Sequence, residues 1–365
     1  MRLSLYIARK FVTAFASVLV IFALFLMLLD MVEQIRRFSG DNVSFAQAAG
    51  LAALNVPGSL YRILPLVVIL ATLVLFLGMA RTSELVVIRA AGRSALRCLI
   101  APVVTALVIG VLAVAVLNPI VAATSTEYDA LRSHYTKGDE SVLSISREGL
   151  WLRQGGTGGQ TVIRAAKANT DATVLHNVSF LSFGPSGKAT MRIEAQEAQL
   201  EPGAWKLTDA KIWTFEAGSN PEQQARFAKT LTLPSDLTRS QIRDSFGAPS
   251  AVPIWKLPAF IQRLEKAGFS ARQHRVWFQM ELALPLLLAA MVLIGAGFTM
   301  RHTRFGRTGL MVLLALMSGF AIFFLRNFAQ VLGENGQLPV ALAAWSPPVA
   351  AVLLALGFLL HLEEG

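Results

Sequence analysis

The amino-acid sequence predicts an integral membrane α-helical bundle of six transmembrane helices with an inserted all-β domain. The composition is 54% hydrophobic and only 15% charged, with a mean hydropathy of +0.54, whereas soluble domains carry about 25% charged residues. Six uncharged apolar runs are long enough, or nearly so, to cross a bilayer. A long polar segment with alternating apolar residues separates the third run from the fourth.

Each of the six runs approaches the roughly 20 apolar residues that span the hydrocarbon. The first is interpreted as a retained span, because no clear small-residue cleavage site follows it. The sixth contains Pro347 and Pro348, which a span tolerates where neighbouring helices satisfy the backbone. The runs are Phe11–Leu29, Ile63–Ala80, Leu99–Leu117, Leu282–Met300, Gly309–Leu325 and Leu342–Leu360.

Lysine and arginine beside the spans predict the orientation, since they favour the cytoplasmic side. With both termini in the cytoplasm, the cytoplasmic flanks hold Arg2, Arg9, Lys10, Arg81, Arg89, Arg93, Arg97, Arg301, Arg304 and Arg307. The short outer flanks hold only Arg36, Arg37, Arg62 and Arg326. This bias accounts for much of the net charge of +10, so no nucleic acid partner is predicted.

The polar segment between Asn118 and Glu281 predicts a β domain outside the inner membrane. Alternating residues bounded by Gly, Pro and Asn are typical of strands, and Gln154–Gln160 is typical of a hairpin tip. Short, closely spaced strands favour a sandwich, a jelly roll or a partly open barrel. The alternating stretches are Ser141–Arg153, Thr161–Ala168, Val174–Phe183, Lys211–Ala217 and Arg226–Leu233.

An amphipathic helix is predicted between the β domain and the fourth span. Leu257, Phe260, Ile261 and Leu264 recur at helical spacing, and Gly268 is suited to the position just past the helix end. Two alternatives stay open: a helix lying at the outer membrane interface, or one packed on the β domain. The domain boundaries expected are 1–124 for the first three spans, 125–252 for the β domain and 253–365 for the rest.

The sequence does not indicate an enzyme, a cofactor or a metal site. It contains no nucleophile elbow, zinc-binding motif or nucleotide-binding loop. The lone Cys98 excludes an intramolecular disulfide, and the five histidines lack metal-ligand spacing. No charged residue lies inside the six apolar runs, which disfavours a proton-driven transporter. Energy for any uphill transport must therefore come from another chain.

The short loop after the second span carries the residues SELVVIRAAG, Ser83 to Gly92. Ser83 is predicted to cap a short helix with Glu84 in its first turn. Leu85, Ile88 and Val87 would share one side, Arg89 would point elsewhere, and Gly92 would end the helix. Two alternatives are open: the helix inserts into a groove on a partner, or it lies flat at the lipid surface.

Several stretches together resemble the lipopolysaccharide export permease family LptF/LptG, and most of all its LptG members. The most specific is RTSELVVIRAAGRS, Arg81–Ser94. Others are NVPGSLYRILPL (Asn55–Leu66), REGLWLR (Arg147–Arg153), WKLTDAKIWTF (Trp205–Phe215) and the helix Leu257–Gly268. The resemblance covers essentially the whole chain.

The resemblance implies a permease subunit that extracts lipopolysaccharide from the outer leaflet of the inner membrane. The expected fold is six transmembrane helices with a periplasmic β-jelly roll. The expected partners are an LptF-like permease that completes a heterodimer, two LptB-type ATPase subunits, an LptC-like bitopic protein, and membrane lipid. The helix carrying Glu84, near residues 81–94, would be the coupling helix seated on the ATPase, which favours docking over lipid contact.

The resemblance also directs attention to the segment after the first span, Leu29–Gly40, as a lining of the substrate cavity. Arg36 and Arg37 are candidates for the phosphates of lipid A, because guanidinium pairs well with phosphate. Ordinary interfacial anchoring is the alternative. Asp30 and Glu33 would repel an anionic lipid; they are expected either to hold the arginines in place or to face the partner subunit.

Two other functions remain open from the sequence. One is a permease or mechanotransmission subunit of a different ABC system, such as lipoprotein release. The other is a membrane-anchored periplasmic scaffold with no transport role and no ATPase partner.

Overall fold

The computed structural model describes residues 2–38, 44–90, 94–137, 142–143, 150–156, 159–169, 173–184, 187–215, 220–235, 249–266, 271–300 and 308–364. The chain divides into two compact units. The helical unit comprises Met1–Thr136, Pro249–Pro258 and Arg272–Gly365, and the β unit comprises Lys137–Ala248 and Ala259–Ala271. A helical bundle with an inserted β domain is thereby confirmed.

Six helical segments among the described residues are long and apolar enough to cross a membrane. The helices are α1 (Arg2–Arg37), α2 (Phe45–Arg81), α3 (Glu84–Ala90), α4 (Ala95–Leu112), α5 (Asn118–Lys137), α6 (Leu257–Lys266), α7 (Arg272–Thr299), α8 (Thr308–Glu334) and α9 (Val340–Glu364). A π-helical segment, Ala113–Leu117, joins α4 to α5, so these three make one span.

Helix α7 forms the centre of the bundle. Of its most apolar stretch, 78% is buried, compared with 6% in α1 and 11% in α8. Helix α4 crosses α7 closely at Gly110, where an added Cβ would lie 2.5 Å from the Cα of Pro285. The apolar surfaces of α1 and α8 are left uncovered by the chain itself, so lipid or another chain must cover them.

Helix α6 confirms the predicted amphipathic helix. Leu257, Phe260 and Leu264 are buried on one side, at the three- and four-residue spacing of a helix face. The protein itself buries these side chains, which favours the packed alternative over a helix lying at the membrane interface. Gly268, the predicted end, lies outside the described residues.

The β unit contains one antiparallel sheet of seven described strands. From β3 to β7 each strand pairs with its predecessor, and β1 also pairs with β3. Gln154 of β2 hydrogen-bonds to Pro234 O and Ser235 Oγ at the end of β7, so the sheet curls until its first and last long strands meet. The strands are β1 (Val142–Leu143), β2 (Leu150–Gly156), β3 (Gly159–Asn169), β4 (Val174–Phe183), β5 (Ala189–Glu201), β6 (Ala204–Thr214) and β7 (Arg226–Pro234).

One face of this curled sheet carries an entirely apolar core around Trp205. The buried positions change phase partway along the strands: Leu175 is followed by Val178 in β4, and Leu207 by Ala210 in β6. Asn177 and Asp209, at these changes, have φ angles of 52° and 53°. A left-handed residue turns the strand and restores the apolar side chains to the core face.

The left-handed backbone at Asp209 predicts how substitutions there affect the β unit. We expect Asp209→Val to lower its stability by about 1–3 kcal/mol, because a β-branched residue is strained at positive φ. Asp209→Gly should be close to neutral, since glycine adopts this conformation without strain. Amide hydrogen exchange of β5–β7 in the full chain measures the difference, and equal protection in both variants would contradict it.

Candidate functional site

The loop after α2 contains the predicted short helix, α3, which begins at Glu84. Ser83 differs from the predicted cap: its φ is 58°, left-handed rather than the extended conformation of a capping serine. Its carbonyl nevertheless accepts hydrogen bonds from the N–H groups of Val86 and Val87, both at 3.2 Å. Gly92 and the side chain of Arg89 lie outside the described part of the structure.

The apolar residues of α3 divide between a buried side and an exposed side. Leu85 and Ile88 are each only 8% exposed, buried by the protein itself. Val86 and Val87 are 52% and 67% exposed. The expected grouping of Val87 with Leu85 and Ile88 is therefore wrong, because the inner pair anchors the helix. The exposed apolar surface of α3 consists of Val86 and Val87.

The Glu84 carboxylate has partners within the chain. Lys10 Nζ lies 2.7 and 2.9 Å from its two oxygens. Tyr6 OH donates to it at 3.2 Å, and Thr82 Oγ1 at 2.9 Å. Lys10 also lies over the Tyr6 ring, 4.8 Å from its centroid. We call Tyr6, Lys10, Thr82 and Glu84 the α1–α3 cluster.

Electrostatics keep this carboxylate charged. The hydrogen bond from Lys10 is the main cause that lowers the pKa of Glu84 below its usual 4.5, and the Thr82 hydroxyl adds to it against a cost of partial burial. The ion pair therefore persists above pH 4.5 and is lost only as the pH falls through the lowered pKa. The cluster ties α3 to the first turns of α1, so a displacement of α3 acts on both α1 and α2.

Sequence reasoning missed Tyr6 and Lys10. Their i, i+4 spacing shows only that they share one face of a helix. Nothing local in the sequence pairs that face with a carboxylate on a later loop.

The two candidate arginines after the first span lie together with Glu33. Arg36 Nη2 is 2.9 Å and Arg37 Nη2 is 3.5 Å from the Glu33 carboxylate oxygens. This contact favours the alternative in which Glu33 holds the arginines in place. Asp30 instead pairs with α2: its Oδ2 accepts a 2.6 Å hydrogen bond from Asn55 Nδ2.

A buried polar cluster that the sequence did not predict lies at the opposite end of the bundle from α3. Glu281 is 1% exposed and Asn118 is 2% exposed. Tyr61 OH donates to Glu281 Oε2, and Asn118 Nδ2 donates to the same oxygen at 3.3 Å. Arg326 lines the same cavity, which has a volume of about 290 Å³. We call Tyr61, Asn118 and Glu281 the buried cluster.

Glu281 and Arg326 correct the expectation that the membrane spans contain no charged residue. The predicted apolar runs stop at Leu282 and Leu325, which leaves Glu281 and Arg326 just outside them. Helices α7 and α8 continue past those limits, so both charged residues lie within membrane-spanning helices and line one cavity. No local pattern in the sequence indicates that these two residues line one cavity.

Comparison with known proteins finds similarity along nearly the whole chain. Residues 5–361 match the family described as lipopolysaccharide export system permease LptF/LptG. The lipopolysaccharide export system permease protein LptG of Escherichia coli K12 is 24% identical over 355 residues, covering 96% of this chain and 93% of that protein. The protein of the same name from Haemophilus influenzae is 22% identical over 357 residues, covering 96% and 95%.

Proposed function

Because this chain belongs to the LptF/LptG family of lipopolysaccharide export permeases, we propose that it is the non-catalytic permease subunit of an ABC-type exporter. It extracts lipopolysaccharide from the outer leaflet of the inner membrane and passes it to a bridge of β domains. A partner chain hydrolyses the ATP. The observation that carries the proposal is the family match over residues 5–361; both termini are assigned to the cytoplasm and the β unit to the periplasm.

Helix α3 is the proposed contact with the ATPase, an LptB-type pair. Val86 and Val87 supply exposed apolar surface, while Leu85 and Ile88 fix the helix to the bundle. The charged Glu84 stands beside them, and Ser83, Arg89 and Gly92 complete the segment. Force applied to α3 reaches α1 through Lys10 and reaches α2 through Thr82.

The exposed helices α1 and α8 support a partner permease. Exposed large apolar side chains run along both helices, among them Leu24 and Phe324, each 68% exposed. An LptF-like chain that covers part of this surface completes the heterodimer, and an LptC-like bitopic protein completes the complex. Closing the space between two such permeases drives acyl chains upward, and the apolar β core offers them a dry environment worth about 0.8 kcal/mol per methylene.

The arginine pair gives a test of substrate contact. The double change Arg36→Glu with Arg37→Glu should reduce lipopolysaccharide photocrosslinking near Gln34 several-fold, because it replaces two phosphate-pairing cations. Glu33→Gln removes the carboxylate that holds the arginines in place and should reduce crosslinking, but by less than the double change. Arg263→Glu on α6 is the matched control. Unchanged crosslinking in the double variant would make the arginines interfacial anchors.

Purification with native partners tests the function as a whole. We expect an ATPase pair, a second permease and lipid A in the complex. Recovery of acylated protein in place of lipid A would indicate lipoprotein release. Recovery of the chain with no ATPase would indicate a scaffold.

A further inference from the structure

The buried cluster continues into the segment that leads to α6. Residues 249–256, which we call the connector, follow the β unit in the chain and begin with a 3-10 turn at Pro249–Ala251. The N–H of Ile254 donates to Asn118 Oδ1 at 2.9 Å. The indole N–H of Trp255 donates to the carbonyl of Ala115 at 3.1 Å. Two consecutive connector residues are thus bound to the end of the third span.

Pro119 explains why the Ala115 carbonyl is available. A proline has no N–H, and its ring clashes with the carbonyl four residues earlier, which here belongs to Ala115. The chain responds with the π-helical segment Ala113–Leu117, a distortion that is frequent at functional sites. A carbonyl without its helical donor needs another partner, and Trp255 supplies one.

Asn118 joins the connector to the bundle in a way that few side chains could. Its Oδ1 accepts from Ile254, and its Nδ2 donates to Glu281 of α7. An amide has both an acceptor and donors, whereas a carboxylate only accepts and an aliphatic side chain does neither. Because Asn118 is buried, losing either bond leaves a desolvated polar group without a partner.

The other two members of the buried cluster also lie close to a proline, as Asn118 lies directly before Pro119. Tyr61 lies four residues before Pro65, and Glu281 lies four residues before Pro285. Each of these prolines lies inside its helix. Three spans therefore lack a backbone hydrogen bond at the level where Tyr61, Asn118 and Glu281 meet. Sharp helix kinks occur almost always at prolines and similar features, so the cluster joins three helices at positions where each can bend.

We propose that Ala115 and Asn118, with Ile254 and Trp255, form a latch that transmits bending of the spans to the connector and so to the start of α6. Asn118 and Glu281 act as positioning residues, because they work through the connector rather than by touching substrate. The inference rests on the proposed export function and deepens it, since it assigns the route by which rearrangement in the membrane reaches the chain leading to the β unit.

The test uses the complete complex in proteoliposomes, with lipopolysaccharide in the membrane. Trp255→Phe removes only the indole N–H from a side chain that is 70% exposed, so the fold is retained. Asn118→Leu removes both bonds of the amide. Trp151→Phe, at an exposed indole on β2, is the matched control. The readouts are ATP hydrolysis, ATP-dependent lipopolysaccharide transfer to a photocrosslinker at Leu231 on β7, and amide exchange of residues 249–257.

We expect Trp255→Phe and Asn118→Leu to lower the transfer per ATP hydrolysed by about fivefold or more, the usual scale of site coupling. ATP hydrolysis should stay close to the unaltered level, and exchange at 249–257 should accelerate. Trp151→Phe should change none of the three. A merely structural role would lower hydrolysis and transfer together.

Two results overturn the latch. One is normal transfer per ATP in Trp255→Phe; the other is parallel loss of hydrolysis and transfer in both variants. If the unaltered complex shows no ATP-dependent transfer at all, the export function fails, and the latch is judged on exchange alone. A nucleotide-dependent change at residues 249–257 that Trp255→Phe abolishes then supports it, and its absence overturns it.

Discussion

Glu84→Arg is expected to abolish export and to weaken binding of the ATPase by about 2–5 kcal/mol, the scale for truncating a buried interfacial charge pair. The change places a cation beside Lys10, which contacts the carboxylate at 2.7 Å, and reverses the charge that α3 presents to the ATPase. Affinity of the purified permease for the ATPase and transport in proteoliposomes measure the two effects. Normal ATPase affinity together with normal transport would contradict the proposal that α3 docks on the ATPase.

Lys10→Met separates the two proposed roles of Glu84, which are docking on the ATPase and transmitting force to α1. If Glu84 acts through α1, this variant should bind the ATPase normally and yet export poorly. If Glu84 acts only by docking, it should export normally. Val87→Asp alters the exposed face without touching the α1–α3 cluster, and it should weaken ATPase binding, and export with it, while leaving the Lys10–Glu84 ion pair intact. Ser4→Asp on α1, an exposed position before the first span, controls for added charge.

Gly110→Ala is expected to destabilise the bundle by several kcal/mol, although alanine is the better helix former. Its Cβ would lie 2.5 Å from the Cα of Pro285 and 2.9 Å from its Cβ, and a backbone atom cannot turn aside as a flexible side chain can. Helices α4 and α7 must then separate, at a cost of about 1–3 kcal/mol or more for overpacking.

Gly78→Ala is the matched control, because it also lies inside a span and a Cβ there meets nothing within 4 Å. Helix propensity alone should make it neutral or up to about 1 kcal/mol more stable. Thermal unfolding in detergent compares the pair. Equal melting temperatures for the two variants would show that α4 and α7 accommodate the added methyl group without loss of stability.

Local patterns in the sequence predict most of the architecture. The alternating stretch Val174–Phe183 coincides with β4, and Arg226–Leu233 with nearly all of β7. Strand β5 was not predicted, because its sequence ATMRIEAQEAQLE is rich in alanine and glutamate, residue types that are depleted in strands. Its place in the sheet depends on pairing with β4 and β6.

The contacts of the candidate site are harder to predict from local patterns, because they join residues that lie far apart in the sequence. The spacing in α3 identifies a helix with an acidic first turn, but not that Lys10 would hold Glu84 or that Val86 would be exposed. Hydropathy places the span ends at the last apolar residue. Glu281, one residue beyond, is buried because Tyr61 and Asn118 satisfy it, and a hydropathy pattern contains no information on such partners.

The central position of α7 has a consequence for biosynthesis. Helices α2 and α4 pack against α7, yet the ribosome must translate the entire β unit between Leu112 and Arg272 before α7 exists. At roughly 5–20 residues per second, α2 and α4 remain in the membrane for about 8–30 s before α7 is available to cover their inward-facing surfaces. A membrane chaperone or insertase that shields α2 and α4 during this interval would protect the nascent chain from misassembly.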